Sequence, residues 1–253
     1  MDFSVSFGGF VVGLLIGMTG MGGGLVMTPM LIFLFGVSPS VAIGTDLVYM
    51  SITKMVGAWQ HWRQKTIDFV VVKYLSYGSI PGALLGVGTL ALLQHSLGKS
   101  GNAVIGKLLG LSYLLVAGVM VWRILMQKSN RRPQEGVRPA AYKLVILGLV
   151  GGFLVGLTSV GSGTLFMAVL VMIYPVATAK LVGTDIVQAV LVTGVAGLAH
   201  MAAGTVNFPL VGSLLIGSIP GILIGSRLVM KLPELVVRTC LVLMLFFSGM
   251  KLL

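Results

Sequence analysis

Charge is what this chain has least of: its 253 residues include only six Asp and Glu, and 9% are charged in all. A soluble domain carries about a quarter charged residues, so this chain cannot cover an ordinary solvated surface. Cysteine is nearly absent too, and the single Cys240 excludes an intrachain disulfide and a multi-cysteine metal site. No Lys or Arg precedes Lys54. The basic region that opens a signal peptide is therefore missing, and the first apolar segment is expected to belong to the mature protein.

What fills the chain is apolar: 57% of residues are hydrophobic and the mean hydropathy is +1.05. Apolar runs cover 3–36, 40–62, 69–94, 103–126, 142–175, 179–203, 208–230 and 235–252. Stretches of about 20 apolar residues cross a bilayer as helices, which satisfy their own backbone polar groups in lipid. The alternating ten-residue pattern of a membrane barrel does not occur. The expected fold is an all-α polytopic membrane protein with 8–10 membrane segments.

The formal net charge is +11, and its placement decides what it means. Arg123, Lys128, Arg131, Arg132, Arg138 and Lys143 cluster around one aqueous stretch, and Arg63, Lys65, Arg227, Lys231 and Arg238 flank apolar runs. That is the distribution of cytoplasmic membrane loops rather than of a nucleic-acid surface. The aqueous stretch, 127–140, divides the chain into an N-terminal membrane repeat (1–126), a cytoplasmic basic linker, and a C-terminal membrane repeat (141–253).

The two parts align at a constant offset of 139 residues without a gap, and 23 of the 70 pairs from Gly17 to Gly86 are identical. The shared set includes Gly44-Thr45-Asp46 with Gly183-Thr184-Asp185, His61 with His200, and the Gly-Ser-Ile-Pro-Gly runs at 78–82 and 217–221. Internal repeats of this kind are common in secondary transporters. Loop charge favours an inverted repeat: Arg63 and Lys65 mark their loop as cytoplasmic, whereas the equivalent loop at Ala202–Gly204 carries no charge. An inverted repeat requires the runs 3–36 and 142–175 to enter and return as two short segments each; single broken spans would make the repeat parallel.

Both of those runs are interrupted by small residues, GMTGMGGG at 17–24 and GLTSVGSG at 156–163. Glycine costs a helix about 1 kcal/mol per residue, so a break is expected in each. A break within the membrane is tolerated only inside protein or beside a watery cavity, and the half-helix that follows presents N–H donors and a positive dipole end to an anion. Thr19, Gly22, Gly23, Gly24, Thr158, Ser159, Gly161, Ser162 and Gly163 are therefore candidate anion-binding residues, with tight packing as the alternative. Asp46 and Asp185, placed within apolar helices, are candidates for proton coupling, cation binding or helix capping. Lys54 lies on the same helical stripe as Asp46 and His61 and is the candidate positive charge for an anionic substrate, or a partner for either Asp; its repeat counterpart is Thr193. His61 and His200 are candidates for proton relay or for hydrogen bonding near helix ends. No cluster suggests a metal or cofactor.

In GMTGMGGGLVMTPML, AIGTDL and SIPGALLG, and again in GLTSVGSGTLFMAVL, LVGTDI and SIPGILIG, the chain resembles the sulfite exporter TauE/SafE family. The resemblance implies a secondary carrier of sulfite, sulfonates or related sulfur compounds, multi-pass in the bacterial inner membrane. It also carries over Gly22–Gly24, Gly161–Gly163, Thr45-Asp46 and Thr184-Asp185 as motif residues, adding Thr45 and Thr184 to the substrate-binding candidates. The second copy departs at Ser162 and Ala168, where the first has Gly23 and Pro29. The expected function is alternating-access transport of a small sulfur-containing anion, with proton coupling. The expected partners are that anion and the lipid bilayer, not nucleic acid, with a homodimer admitted. A cation transporter using Asp46 and Asp185 is the alternative; an intramembrane enzyme is disfavoured because its acid-base residues would be duplicated and no nucleophile sits at a recognisable spacing.

Overall fold

The computed structural model describes residues 3–19, 24–98, 101–126, 138–228 and 234–253. Among them are ten helices and no strand: α1 (Phe3–Thr19), α2 (Gly24–Phe33), α3 (Pro39–Arg63), α4 (Phe69–Leu97), α5 (Gly101–Met126), α6 (Ala141–Thr158), α7 (Leu165–Ile173), α8 (Thr178–Ala202), α9 (Phe208–Leu228) and α10 (Glu234–Leu252). Four stretches are long and apolar enough to cross a membrane: Phe69–Leu97, Gly101–Trp122, Ala141–Thr158 and Ala179–Ala202. Shorter apolar segments lie in α1, α9 and α10. The chain is a multi-pass membrane protein.

The offset of 139 residues is also a structural period. It carries α3 onto α8 at both ends, and the first residue of α4 onto the first residue of α9. The second apolar run is interrupted as its small residues require, α6 giving way to α7; the expected break in the first run falls at 20–23, outside the described residues.

Packing exchanges between the halves. Helix α1 lies along α9, and α6 lies along α4, through matching glycines: a Cβ at Gly9 would fall 2.7 Å from the carbonyl oxygen of Leu214, and Gly148 meets the carbonyl of Leu75 in the same way. Gly78 and Gly217 return the contact, against Val145 and Ser6. Such backbone-to-backbone approach is how small residues hold membrane helices together where lipid supplies no hydrophobic drive. Gly82 and Gly86 continue the contact against Leu149 and Phe153, so glycines four apart form one packing stripe on α4.

The sequence-equivalent helices α3 and α8 run antiparallel. Gly44 near the start of α3 meets Thr205 just beyond α8, Gly197 meets Val48, and Gly57 meets Ile186. In the second half the broken run also doubles back. Arg138, three residues before α6, and Tyr174, just after α7, both bond Asp68 Oδ2, at 3.0 and 2.6 Å.

Candidate functional site

The second break is fully described and lies inside the protein, with every residue from Ser159 to Thr164 buried. Helix α6 ends where Ser159 takes a left-handed conformation (φ +64°), and Gly161 and Gly163 follow at φ +105° and +149°. These are values that glycine reaches without steric cost. Thr158 finishes the helix locally, its hydroxyl donating to Leu154 O at 2.6 Å and accepting from Val160 N at 3.3 Å. Gly163 N donates back to Gly161 O at 2.7 Å, tightening the turn before α7. Leu165 N, the first amide of α7, donates to Gly161 O at 3.3 Å, and the next two amides belong to the first turn, which has no intrahelical acceptors for them.

Helix α3 grips this break at two places. Ser159 donates its hydroxyl to Asp46 Oδ2 at 2.7 Å. Eight residues along the same helix, Lys54 donates to the Ser162 carbonyl oxygen and, at 3.0 Å, to the Ser162 hydroxyl. At 1.5 Å per residue the two Cα positions on α3 are about 12 Å apart. A carboxylate and an ammonium from one helix thus bracket the polar loop, with Ser162 also donating weakly to Met50 Sδ at 3.8 Å. Lys54 was expected either to oppose an anion or to pair with an aspartate; its direct hydrogen bonds go to the break itself.

Asp46 is wholly buried. Its Oδ2 also accepts from Thr28 on α2 at 2.5 Å, so it joins α2, α3 and the α6–α7 loop. Among the described residues its Oδ1 has no hydrogen-bond partner, and neither does the buried hydroxyl of Tyr113 on α5, which lies beside Thr28 and within the field of Asp46. Among the described residues the hydrogen-bond partners of Asp46 are side-chain hydroxyls. Thr28 and Tyr113 were not legible as site residues, because neither is matched in the other half, where Met167 and Leu252 stand. Asp185 is buried as well.

The remaining Gly-Thr-Asp residues connect the halves. Thr45 Oγ1 accepts from Asn207 N at 3.1 Å, and Thr184 Oγ1 accepts from Asp68 N at 3.0 Å. Gly44 and Gly183 permit the approach, since a Cβ would fall 2.5 Å from Thr205 O and 2.7 Å from Thr66 O. The histidines belong to the same joint. His61 Nδ1 meets Thr66 Oγ1, and His200 Nδ1 meets Thr205 Oγ1, each at 2.8 Å. His200 Nε2 donates to Gly156 O at 3.0 Å, which fixes the ring inside the protein rather than at an aqueous interface.

Gly22 and Gly23 lie outside the described residues, as does the Thr19 side chain; Gly24 opens α2. Among the described residues no group of three or more His, Cys, Asp and Glu is placed to hold a metal ion.

The family model for the sulfite exporter TauE/SafE matches residues 5–252. The chain belongs to that family. It is 41% identical to the probable membrane transporter protein YjnA of Bacillus subtilis, with 100% of each chain covered. Identity to the probable membrane transporter protein YdhB of the same organism is 26%, over 84% of each chain. A further probable membrane transporter protein of that organism, YunE, is 26% identical, covering 79% of this chain and 78% of the relative. No solved structure matches. Family and relatives together describe transporters, in line with the expectation that the chain is not an enzyme.

Proposed function

We propose that this chain is a secondary transporter of a small sulfur-containing anion, of the sulfite or organosulfonate class. It would work by alternating access between two halves of opposite membrane orientation. The antiparallel course of α3 and α8 and the doubling back of α6–α7 support the inverted arrangement. The family's name supports the sulfur anion.

One observation carries the assignment to an anion: a lysine inside a nearly uncharged protein is held against the start of a half-helix. Two Lys54 N–H bonds go to Ser162; the ammonium charge held there and the amides of Phe166 and Met167 in the first turn of α7 form a donor set for an oxyanion. The glycines at 161 and 163 keep side-chain carbon out of the way. Asp46 supplies the coupling step. Its unpartnered Oδ1 is a place for a proton, and its Oδ2 bonds to Thr28 and Ser159 make its protonation state felt at the break. Asp185, His61 and His200 remain coupling candidates from the sequence, although the bonds that fix His200 give it a structural part.

The unpartnered Asp46 Oδ1 also favours the second reading, transport of a cation, so the test must separate the two. Purified protein is screened by thermal shift against sulfite, sulfonates, thiosulfate, carboxylates, Na⁺ and K⁺, and the stabilising species are then followed as flux into proteoliposomes. Sulfite or a sulfonate should stabilise the protein and move with a pH gradient. Stabilisation and flux with an alkali cation alone would reject the anion.

A further inference from the structure

We propose that Asp68 is the positioning residue of a one-sided gate latch, holding closed the end of the transporter that carries the basic loops; the proposal rests on the alternating-access reading above. Asp68 and Asn207 are equivalent at the offset of 139 residues and perform the same two local tasks. Each donates its backbone N–H to the threonine of the opposite half's Gly-Thr-Asp motif, Thr184 and Thr45 respectively. Each also caps the helix it precedes: Asp68 Oδ1 accepts from Val70 N and Val71 N, and Asn207 Oδ1 accepts from Leu210 N.

Only Asp68 does more. It is 3% exposed, whereas Asn207 is exposed. Its second oxygen, Oδ2, accepts from the Tyr174 hydroxyl at 2.6 Å and from Arg138 Nε at 3.0 Å, with Lys180 Nζ 3.8 Å away. Tyr174 and Lys180 come from α7 and α8, so these bonds cross from the α4–α6 pair, locked together by its glycines, to the neighbouring helices. Arg138 belongs to the α6 side of that seam and keeps the carboxylate charged. At the other end the positions equivalent to Tyr174 and Lys180 are Phe35 and Val41, which can make neither bond.

The two ends therefore differ in one device, and the difference lies where the ends must part. Opening the Asp68 end breaks charge-assisted bonds as well as packing, while opening the Asn207 end breaks packing and the shared threonine bond. Arg63, Lys65, Arg138, Lys143 and Lys180 gather toward the latched end, which the positive-inside rule places in the cytoplasm. The resting protein is accordingly closed to the cytoplasm. Thr184 links the latch to the neighbouring Asp185 on α8, giving events inside the helix a direct route to the gate.

Asp68→Asn installs the side chain that the other end uses naturally, so the cap and the threonine bond survive and the latch is lost. Amide hydrogen exchange of the reconstituted protein reads the result at each end. Segments 66–72 and 174–184 should exchange about tenfold faster, with 35–45 and 205–211 unchanged. Tyr174→Phe, which copies Phe35, should give a smaller change of the same kind, and it keeps the question open to test if Asp68→Asn fails to fold. Unchanged exchange in the folded variants, or an equal rise at both ends, overturns the latch. The readout needs no substrate, so an end-specific rise without sulfite or sulfonate flux would reject the transport reading and leave the latch standing.

Discussion

Asp46 and Asp185 occupy the same place in two copies of one motif, yet their surroundings have diverged. Asp46 is bound by Thr28 and Ser159, with Lys54 further along its helix and Tyr113 beside it. The residues equivalent to these are Met167, Gly20, Thr193 and Leu252, which bring no charge and, apart from Thr193, no hydroxyl. The repeat thus supplies two similar frames, but the hydroxyls that bond Asp46 are not repeated at the equivalent positions, while the Lys54 charge acts on both Asp185 and Asp46.

The largest effect that sharpens this comparison is expected at Lys54. A charge-assisted hydrogen bond is worth about 1.5–3 kcal/mol, so Lys54→Met should weaken anion binding about tenfold to a hundredfold. Thr193→Val, at the equivalent position, should change it little. Titration of the purified protein with sulfite or the best ligand of the screen checks both, and equal effects would erase the distinction between the halves.

Asp46→Asn comes next. It keeps the shape of the side chain and removes the titrating group, so proton-driven accumulation should fall about tenfold while downhill exchange of the anion continues. Flux with and without an imposed pH gradient separates the two. Loss of both modes together would make Asp46 a structural clasp only.

Packing between the halves predicts a smaller change, in stability. Gly148→Ala places a carbon against the Leu75 backbone and should cost about 1–3 kcal/mol, whereas at Gly88 an added carbon meets nothing within 4 Å. Gly88→Ala should be neutral or stabilising by up to about 1 kcal/mol. Denaturant unfolding in detergent measures the pair.

The repeat, the second break and the glycine faces were legible because they rest on local chemistry: glycine disfavors helix, and fourfold spacing makes a smooth stripe. The inverted course could be argued from loop charge alone, since Arg63 and Lys65 have uncharged counterparts at Ala202 and Gly204. The partners of the charged residues were not legible. Lys54 meets Ser162 across 108 residues, and Asp46 meets Ser159 across 113; helical periodicity reports which face a residue occupies, not what lies opposite it. Thr45 and Thr184 show the same limit. Their recurrence suggested a ligand, but recurrence equally marks a joint that both halves need. Asp68 escaped notice because its partner position holds Asn, so identity matching passed over the pair.

The smallest expected effect concerns pH at the latch. Asp68 lies in the loop between α3 and α4. Burial pushes its carboxyl up, but the Tyr174 and Arg138 hydrogen bonds, the Val71 amide and the Arg138 charge outweigh it and hold the carboxyl below its usual range. A depressed carboxyl stabilises the folded state fully above the ordinary Asp value of about 3.9, and that contribution disappears as pH falls through the lower folded value. Exchange at 66–72 should therefore be set by the latch equally at pH 7 and pH 5, after correction for the intrinsic rate. A latch that loosened between those values would contradict the assignment.

The most direct test of the anion site is downhill flux of labelled sulfite into proteoliposomes carrying wild type, Lys54→Arg or Lys54→Met. The predicted result is flux through wild type, reduced flux through Lys54→Arg, and none above background through folded Lys54→Met. Undiminished sulfite flux through Lys54→Met would contradict the site.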